Sequence, residues 1–335
     1  MKNIFLVLSP FFISLYFWMP SKAQVLVDFR GVNLTGCERV WEDRKLNGRH
    51  ALNSIKNAEQ KGFNAFRLPL AVDELIKNDR RFLNELRKLV KYTEKTGTPL
   101  ILAYFHHGID NDNWKTQSDK LAENWLEILK HIPNDTRYLY LELANEPTLN
   151  PDYWEEAAIS AIGKIREVSP TIPIIVGASN YNSLFELSRT KPLPFDHLIY
   201  TFHYYEPYLF THQGTEWTGP QNATIGIPYP YSAPDMPKIH PDALGTDGEI
   251  NYRDYEKTGD INGMVDKISI IANWAKKHQV SLMCTEYGVS QNADEMSRVR
   301  YLNDLGKTLR EFQIPGFVWE WRGNFGIEGI VKEVK

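Results

Sequence analysis

Runs of apolar, β-branched residues alternate along the chain with segments in which apolar residues recur every three or four positions. The short runs are LVDFRGVN (26–33), FNAFRLP (63–69), PLILAYF (99–105), YLYLELAN (138–145), IPIIVGA (172–178), HLIYTFH (197–203), VSLMCTE (280–286) and GFVWEW (316–321). Each has the length and composition of a buried strand, and most consecutive starts lie about 25–40 residues apart, the span of one strand-plus-helix unit. Between them, 82–97 sets Phe82, Leu86, Leu89 and Val90 on one face and stops at Gly97. Segment 150–170 opens with Asn150 as cap and Pro151 in the first turn, then places Ile159, Ile162, Ile165 and Val168 in one stripe. Segment 264–278 repeats the pattern through Val265, Ile268, Ile271 and Ala275. Eight strands alternating with helices predict a parallel sheet covered by helices, and at this length a closed α/β (β/α)8 TIM barrel. A doubly wound open sheet is the alternative, but no glycine-rich nucleotide fingerprint follows any strand.

Two stretches depart from this rhythm. Residues 206–259 show no helical period and are rich in Pro, Gly and aromatics, so a long loop, functional or disordered, is expected after the sixth strand. Only GNFGIEGIVKEVK follows the eighth strand, which predicts a reduced final helix. At the other end, Lys2 precedes an apolar run from Ile4 to Met19 that contains Pro10 and ends at Ser21-Lys22-Ala23. This run is shorter than a membrane span, and small residues stand where a signal peptidase cuts. Residues 1–23 are therefore expected to be a cleaved signal peptide, 24–335 a single catalytic domain, and the protein secreted or periplasmic, with no membrane span in the mature chain.

Composition narrows the partners. The 335 residues carry a formal charge of -4 with no Lys/Arg-rich run, which argues against nucleic acid. Nine Trp and seventeen Tyr suit a ligand with apolar faces and polar edges. Cys37 and Cys284 are too few for a disulfide framework or metal site; either a buried thiol at 284 or a bridge between the two fits the sequence. The nine His show no ligand spacing, and neither a metal nor a cofactor is expected.

In a barrel of this kind chemistry gathers at the C-terminal strand ends. Those ends carry Arg67, His106-His107, Asn145-Glu146, His203 with Tyr205, Glu286 and Trp319. A carboxylate ending a buried strand is expensive to desolvate unless it is used. Pro147 biases Glu146 toward extended backbone, which would carry the strand direction onward over the barrel mouth. By two-residue parity Glu146 then shares a face with Ala144 and Glu142; Glu142 lies deeper as a structural acid, and Asn145 faces inward only if the strand kinks. Glu146 and Glu286, on two separate strands, form the arrangement of glycoside hydrolysis, in which one carboxyl protonates the leaving oxygen and the other attacks the sugar or activates water.

RLP (67–69), HH (106–107), LANEP (143–147), HYYEP (203–207), TEYG (285–288) and VWEW (318–321) resemble glycoside hydrolase family 5, the group of endo-β-1,4-glucanases and mannanases, over nearly the whole mature chain. HYYEPYLFTHQGTEW (203–217) resembles the bacterial cellulase branch. The resemblance implies a retaining double displacement without cofactor, Glu146 as acid/base and Glu286 as nucleophile. It implies that Asn145 grips the sugar 2-hydroxyl, that Arg67 and Tyr205 hold the nucleophile, and that His106, His107 and His203 flank the site. Trp319 would be the platform beneath the sugar. Trp217, and with it Tyr229, Tyr231, Tyr252 and Tyr255, are candidates to stack on further sugars. The substrate expected is a β-1,4-linked glucan; mannan, xyloglucan, xylan and mixed-linkage glucan are the alternatives, and a binding-only pseudoenzyme is disfavoured by the intact glutamate pair. The chain is expected to act as a monomer.

Overall fold

The computed structural model describes residues 29–39, 45–106, 108–133 and 136–334. The expected signal peptide and His107 lie outside the described residues. Strands β1 (Arg30–Asn33), β2 (Ala65–Leu70), β3 (Leu100–Tyr104), β4 (Leu139–Glu142), β5 (Ile174–Gly177), β6 (Leu198–Tyr204), β7 (Ser281–Tyr287) and β8 (Gly316–Val318) pair in sequence order into a closed, all-parallel barrel. β8 returns to β1 through Arg30↔Gly316, Gly31↔Phe317 and Val32↔Val318. Helices occupy the intervals between strands, which makes this the (β/α)8 TIM barrel that the pattern predicts.

Strand parity divides the apolar residues into two sets. Phe66, Leu68, Leu100, Leu102, Leu139 and Leu141 face outward and join the helices in the main core. Ala65, Ile101, Tyr140, Ile175, Ile199, Met283 and Phe317 pack against one another inside the barrel, with Phe29 edge-on to Tyr140 and Phe317 at its floor. Because alternate residues of each strand face opposite ways, both faces must be apolar near the floor.

Helix boundaries follow local chemistry. The helix Phe82–Thr96 stops at Gly97 in the left-handed conformation (φ 72), where glycine carries no Cβ penalty. In Pro151–Val168 the Asn150 side chain accepts from the Asp152 N–H at 3.0 Å. Its buried stripe runs through Trp154, Ala157, Ala158, Ala161, Ile162 and Ile165; Ile159 is half-buried and Val168 exposed, so the expected stripe is corrected at both. Ile261–His278 begins a turn earlier than expected, at an Asp260 cap, and its Val265 is only half-buried.

The segment after β6 corrects a second expectation, because it contains the helix Asp247–Thr258 and four 3-10 turns. Only Gly248 and Tyr255 of that helix are buried, so no apolar stripe announces it. Its Thr246 cap, accepting from the Gly248 N–H, and its acidic first turn supply the local stabilisation instead. As expected, no helix follows β8 among the described residues. The chain instead folds back in turns that bury Trp321, Phe325, Ile327, Ile330, Val331 and Val334. Cys37 and Cys284 are not bridged; Cys284 is a buried thiol whose Sγ donates to the Glu286 carbonyl at 3.3 Å.

Candidate active site

One step above the floor, the same parity points polar groups into the barrel. Arg67, two residues beyond Ala65, is fully buried and uses its whole guanidinium. Nε and Nη2 donate to Glu142 at 2.6 and 2.7 Å, and Nη2 also donates to Asn145 Oδ1 at 2.7 Å. Nη1 donates to Asn33 Oδ1 at 2.8 Å and to Glu286 Oε1 at 2.6 Å. Glu142, two residues beyond Tyr140, is thus the structural acid expected of it. Burial opposes the charge on Arg67, but Glu142 and Glu286 outweigh it and hold the guanidinium firmly protonated.

Both candidate carboxylates stand where strand regularity breaks. On β7 the pairing with β6 runs Phe202↔Cys284 and then His203↔Glu286, a bulge that skips Thr285. Parity alone would send Glu286 outward with Cys284; the extra residue turns it into the barrel beside His203. β4 ends at Glu142, the Asn145 N–H donates to the Tyr104 carbonyl at 2.7 Å, and Glu146 has φ 45. The kink required to turn Asn145 inward is therefore present. The extended geometry expected of Glu146 is not: the bonds that Asn145 makes outweigh the local bias of Pro147.

Glu286 is 4% exposed. Burial pushes its carboxyl up, His203 and Arg67 pull it back, Glu146 adds to the rise, and the Tyr205 hydroxyl, donating to Oε2 at 2.8 Å, opposes it; the balance lies above the usual glutamate range. His203 Nδ1 lies 2.7 Å from Glu146 Oε1 and 3.5 Å from Glu286 Oε2. One carboxylate oxygen from each glutamate and a His203 nitrogen all fall within 4.8 Å of one another. Among the described residues this is also the one trio of acids and histidines close enough to hold a cation. Its atoms are already engaged with one another, with Arg67 and with Tyr205.

These groups open into a cavity of about 710 Å³ lined by Asn145, Glu146, His203, Tyr205, Glu286, Trp217 and Trp319. Trp319 stacks on Phe105 at 6.1 Å and 16°, and the Phe105 ring in turn lies beneath the Arg67 guanidinium. Trp217 is 61% exposed and leans over Phe325 at the rim. His106 follows Phe105 half-buried and is not among the residues that line the cavity. The other aromatic candidates need correcting. Tyr229 and Tyr255 are fully buried, with hydroxyls donating to Asp304 and the Pro228 carbonyl at 3.1 and 2.6 Å. Tyr231 and Tyr252 are half-buried against the same core, so these four tyrosines anchor the segment to the barrel.

Several lining residues escaped the sequence reading. Tyr208 and His212 stack at 3.9 Å, and burial takes His212 down to about 3, leaving it neutral. Their four-residue spacing within 203–217 was the available signal. Phe325, Asn180, Tyr181, Ser183 and Leu184 carried none.

Compared with known families, residues 24–325 match the one described as cellulase (glycosyl hydrolase family 5). Endoglucanase 3 of Fibrobacter succinogenes is 28% identical over 333 residues, covering 89% of this chain and 50% of that protein. The chain therefore spans about half the length of that relative. Endoglucanase C of Acetivibrio thermocellus is 26% identical, with 89% of this chain and 92% of the relative covered. Among solved structures, endoglucanase Cel5A from Thermotoga maritima superposes with a TM-score of 0.73 at 18% identity, covering 92% and 97% of the two chains. A hyperthermophilic endo-β-1,4-glucanase in complex with substrate gives 0.70 at 22% identity, covering 90% and 91%. At these identities the superpositions speak for the fold.

Proposed function

This chain belongs to glycosyl hydrolase family 5, the cellulase family, and from that premise we propose that it is an exported hydrolase cleaving β-1,4-linked glucan internally, with retention of anomeric configuration. The observation that carries the reading is the approach of Glu146 and Glu286 to within 4.8 Å, open to one aromatic-walled cleft. Carboxyls about 5–5.5 Å apart leave no room for a water between acid and base, so the second must attack the sugar itself.

Glu286 is the nucleophile. Its Oε1 is tied by Arg67 and its Oε2 by Tyr205, which orients the carboxylate and opposes the rise that burial imposes on it. Glu146, half-exposed at the mouth and hydrogen-bonded to His203, protonates the glycosidic oxygen as the bond to the leaving sugar breaks. A glycosyl ester on Glu286 results; Glu146, now a carboxylate, takes a proton from water, which attacks the anomeric carbon and frees Glu286. Asn145, fixed by Arg67, presents its remaining amide group to the sugar 2-hydroxyl, and Trp319 on Phe105 is the platform beneath the ring. The endoglucanase names of the relatives, Endoglucanase 3 and Endoglucanase C, support glucan as the substrate.

The test is hydrolysis of carboxymethylcellulose, lichenan, xyloglucan, xylan and glucomannan, with proton NMR of the first product. The β-glucans are expected to be cleaved most efficiently, with the β anomer released first. An initial α anomer would overturn retention, and no hydrolysis of any of these polymers would overturn the hydrolase reading.

A further inference from the structure

The segment Ser179–Asn182 leaves β5 in an unusual conformation: Asn180, Tyr181 and Asn182 have φ 57, 62 and 53. Three successive left-handed residues persist only where tertiary contacts impose them. Two contacts do so here. The Tyr181 N–H donates to the Pro147 carbonyl, beside Glu146. The fully buried Asn182 directs its Nδ2 at His203 Nε2, 3.1 Å away. Room for that amide comes from Gly177, where a Cβ would stand 2.1 Å from Asn182 Oδ1.

An amide nitrogen only donates, so the His203 Nε2 that receives it carries no proton. The ring proton is then on Nδ1, which faces Glu146 Oε1 at 2.7 Å. Turning the amide over would face its oxygen to an Nε2–H, leaving Nδ1 to meet Glu146 either as part of an imidazolium or as acceptor from the protonated carboxyl. It would also strand N–H groups against Gly177, where Oδ1 now lies without a partner, and an orphaned buried N–H costs more than an orphaned oxygen. We propose that Asn182 is a positioning residue that keeps His203 neutral, as the Nδ1–H form, so that Glu146 receives a hydrogen bond without a full positive charge beside it.

The charged groups around His203 set what Asn182 works against. Burial and Arg67 on β2 oppose a charge on the ring, Glu286 on β7 and Glu146 beyond β4 draw it toward the imidazolium, and the balance raises its proton affinity above the usual imidazole value. The Thr285 hydroxyl, 3.2 Å from Nε2 and 2.7 Å from Thr201, turns either way. Asn182 is the contact that discriminates, and it does so against the carboxylates. An imidazolium at this position would stabilise the Glu146 carboxylate and weaken it as an acid.

The inference rests on the acid role of Glu146, yet its decisive measurement needs no substrate. In ¹⁵N-labelled protein, with the His203 signals identified by their loss in His203→Gln, the ring at pH 7 should show one protonated nitrogen, Nδ1, and one bare nitrogen, Nε2. Asn182→Asp, which keeps a side chain tolerant of positive φ but replaces donor by acceptor, should convert His203 to the imidazolium. It should also move the alkaline limb of kcat/KM down by about one pH unit or more. Asn182→Gly, free of backbone strain, removes the donor and should shift His203 the same way. An imidazolium in the native protein overturns the proposal, as does a His203 signal unmoved in either folded variant. If no glycan were cleaved, the proposed activity would fall while the ring assignment stood on its spectrum.

Discussion

The floor and the mouth of this barrel are built by the same strands, only two residues apart, and they obey different physics. At the floor, Ala65, Tyr140, Ile199 and Met283 fill volume; at the next inward position Arg67, Glu142, Thr201 and Thr285 form bonds. The floor asks for apolar atoms of suitable size and tolerates exchange among them. The mouth is a network in which each buried charge is tolerable because its partners are present. Pairing is regular through the floor, whereas the mouth holds the β7 bulge and the left-handed Glu146. The proposed chemistry sits where the regular strand has been given up.

The largest expected effect breaks the mouth without touching the floor. Glu286→Ala and Glu146→Gln should each lower kcat by about 10²–10⁴ or more while the thermal transition stays cooperative. Near-native turnover in either variant would remove that glutamate from its role. Under the proposed mechanism only ionised Glu286 attacks, and its folded proton affinity is raised, so the acidic limb of kcat/KM should lie above pH 4.5; a limb below it would contradict the burial argument.

Next in size is Arg67→Met, which leaves Glu142 buried without its cation. A loss of roughly 3–5 kcal/mol in urea unfolding is expected, against less than about 1.5 kcal/mol for a volume-conserving floor exchange such as Met283→Leu. Equal losses would erase the distinction between the two layers.

Glu320 sharpens the comparison, being a buried carboxyl held by the Thr35 hydroxyl and the Phe325 N–H instead of a guanidinium. Burial raises it to about 6 from 4.5. A carboxyl with a raised folded value contributes stability below its unfolded pKa and loses it as pH rises through the folded one. Glu320→Gln should therefore match the native protein below pH 4.5 and exceed it by up to about 2 kcal/mol above pH 7. A pH-independent difference in Tm would refute this.

The smallest effect concerns the rim. Trp217→Ala should raise KM roughly threefold to tenfold with little change in kcat, in line with about 1 kcal/mol for an aromatic contact. Tyr255→Phe, at a ring sealed in the core, should leave KM alone. The reverse pattern would return Tyr255 to the cleft.

Eight apolar runs, their spacing and their punctuation at Asn150 and Gly97 were legible because period-two burial and helix capping act over a few residues. The position of Glu146 and Glu286 at the C-terminal ends of their strands was legible from the same runs. The helix Asp247–Thr258 was not, since its stability comes from caps and one tyrosine rather than from a stripe. Nor was the fate of the aromatics: composition is blind to which ring faces water, and Trp217 and Tyr255, both in the segment after β6, ended at opposite extremes of exposure.

By itself, then, the order of residues carried the alternation of eight strands with helices and the roster of polar groups at the strand tips, because each depends on local periodicity. Only the tertiary structure decided that Glu286 turns inward through a bulge, that Glu146 leaves the extended conformation, and that Asn182 reaches His203. Those outcomes depend on bonds between residues far apart in the chain, such as Arg67 with Glu142, Asn145 and Glu286, whose energies exceed the local preferences they override.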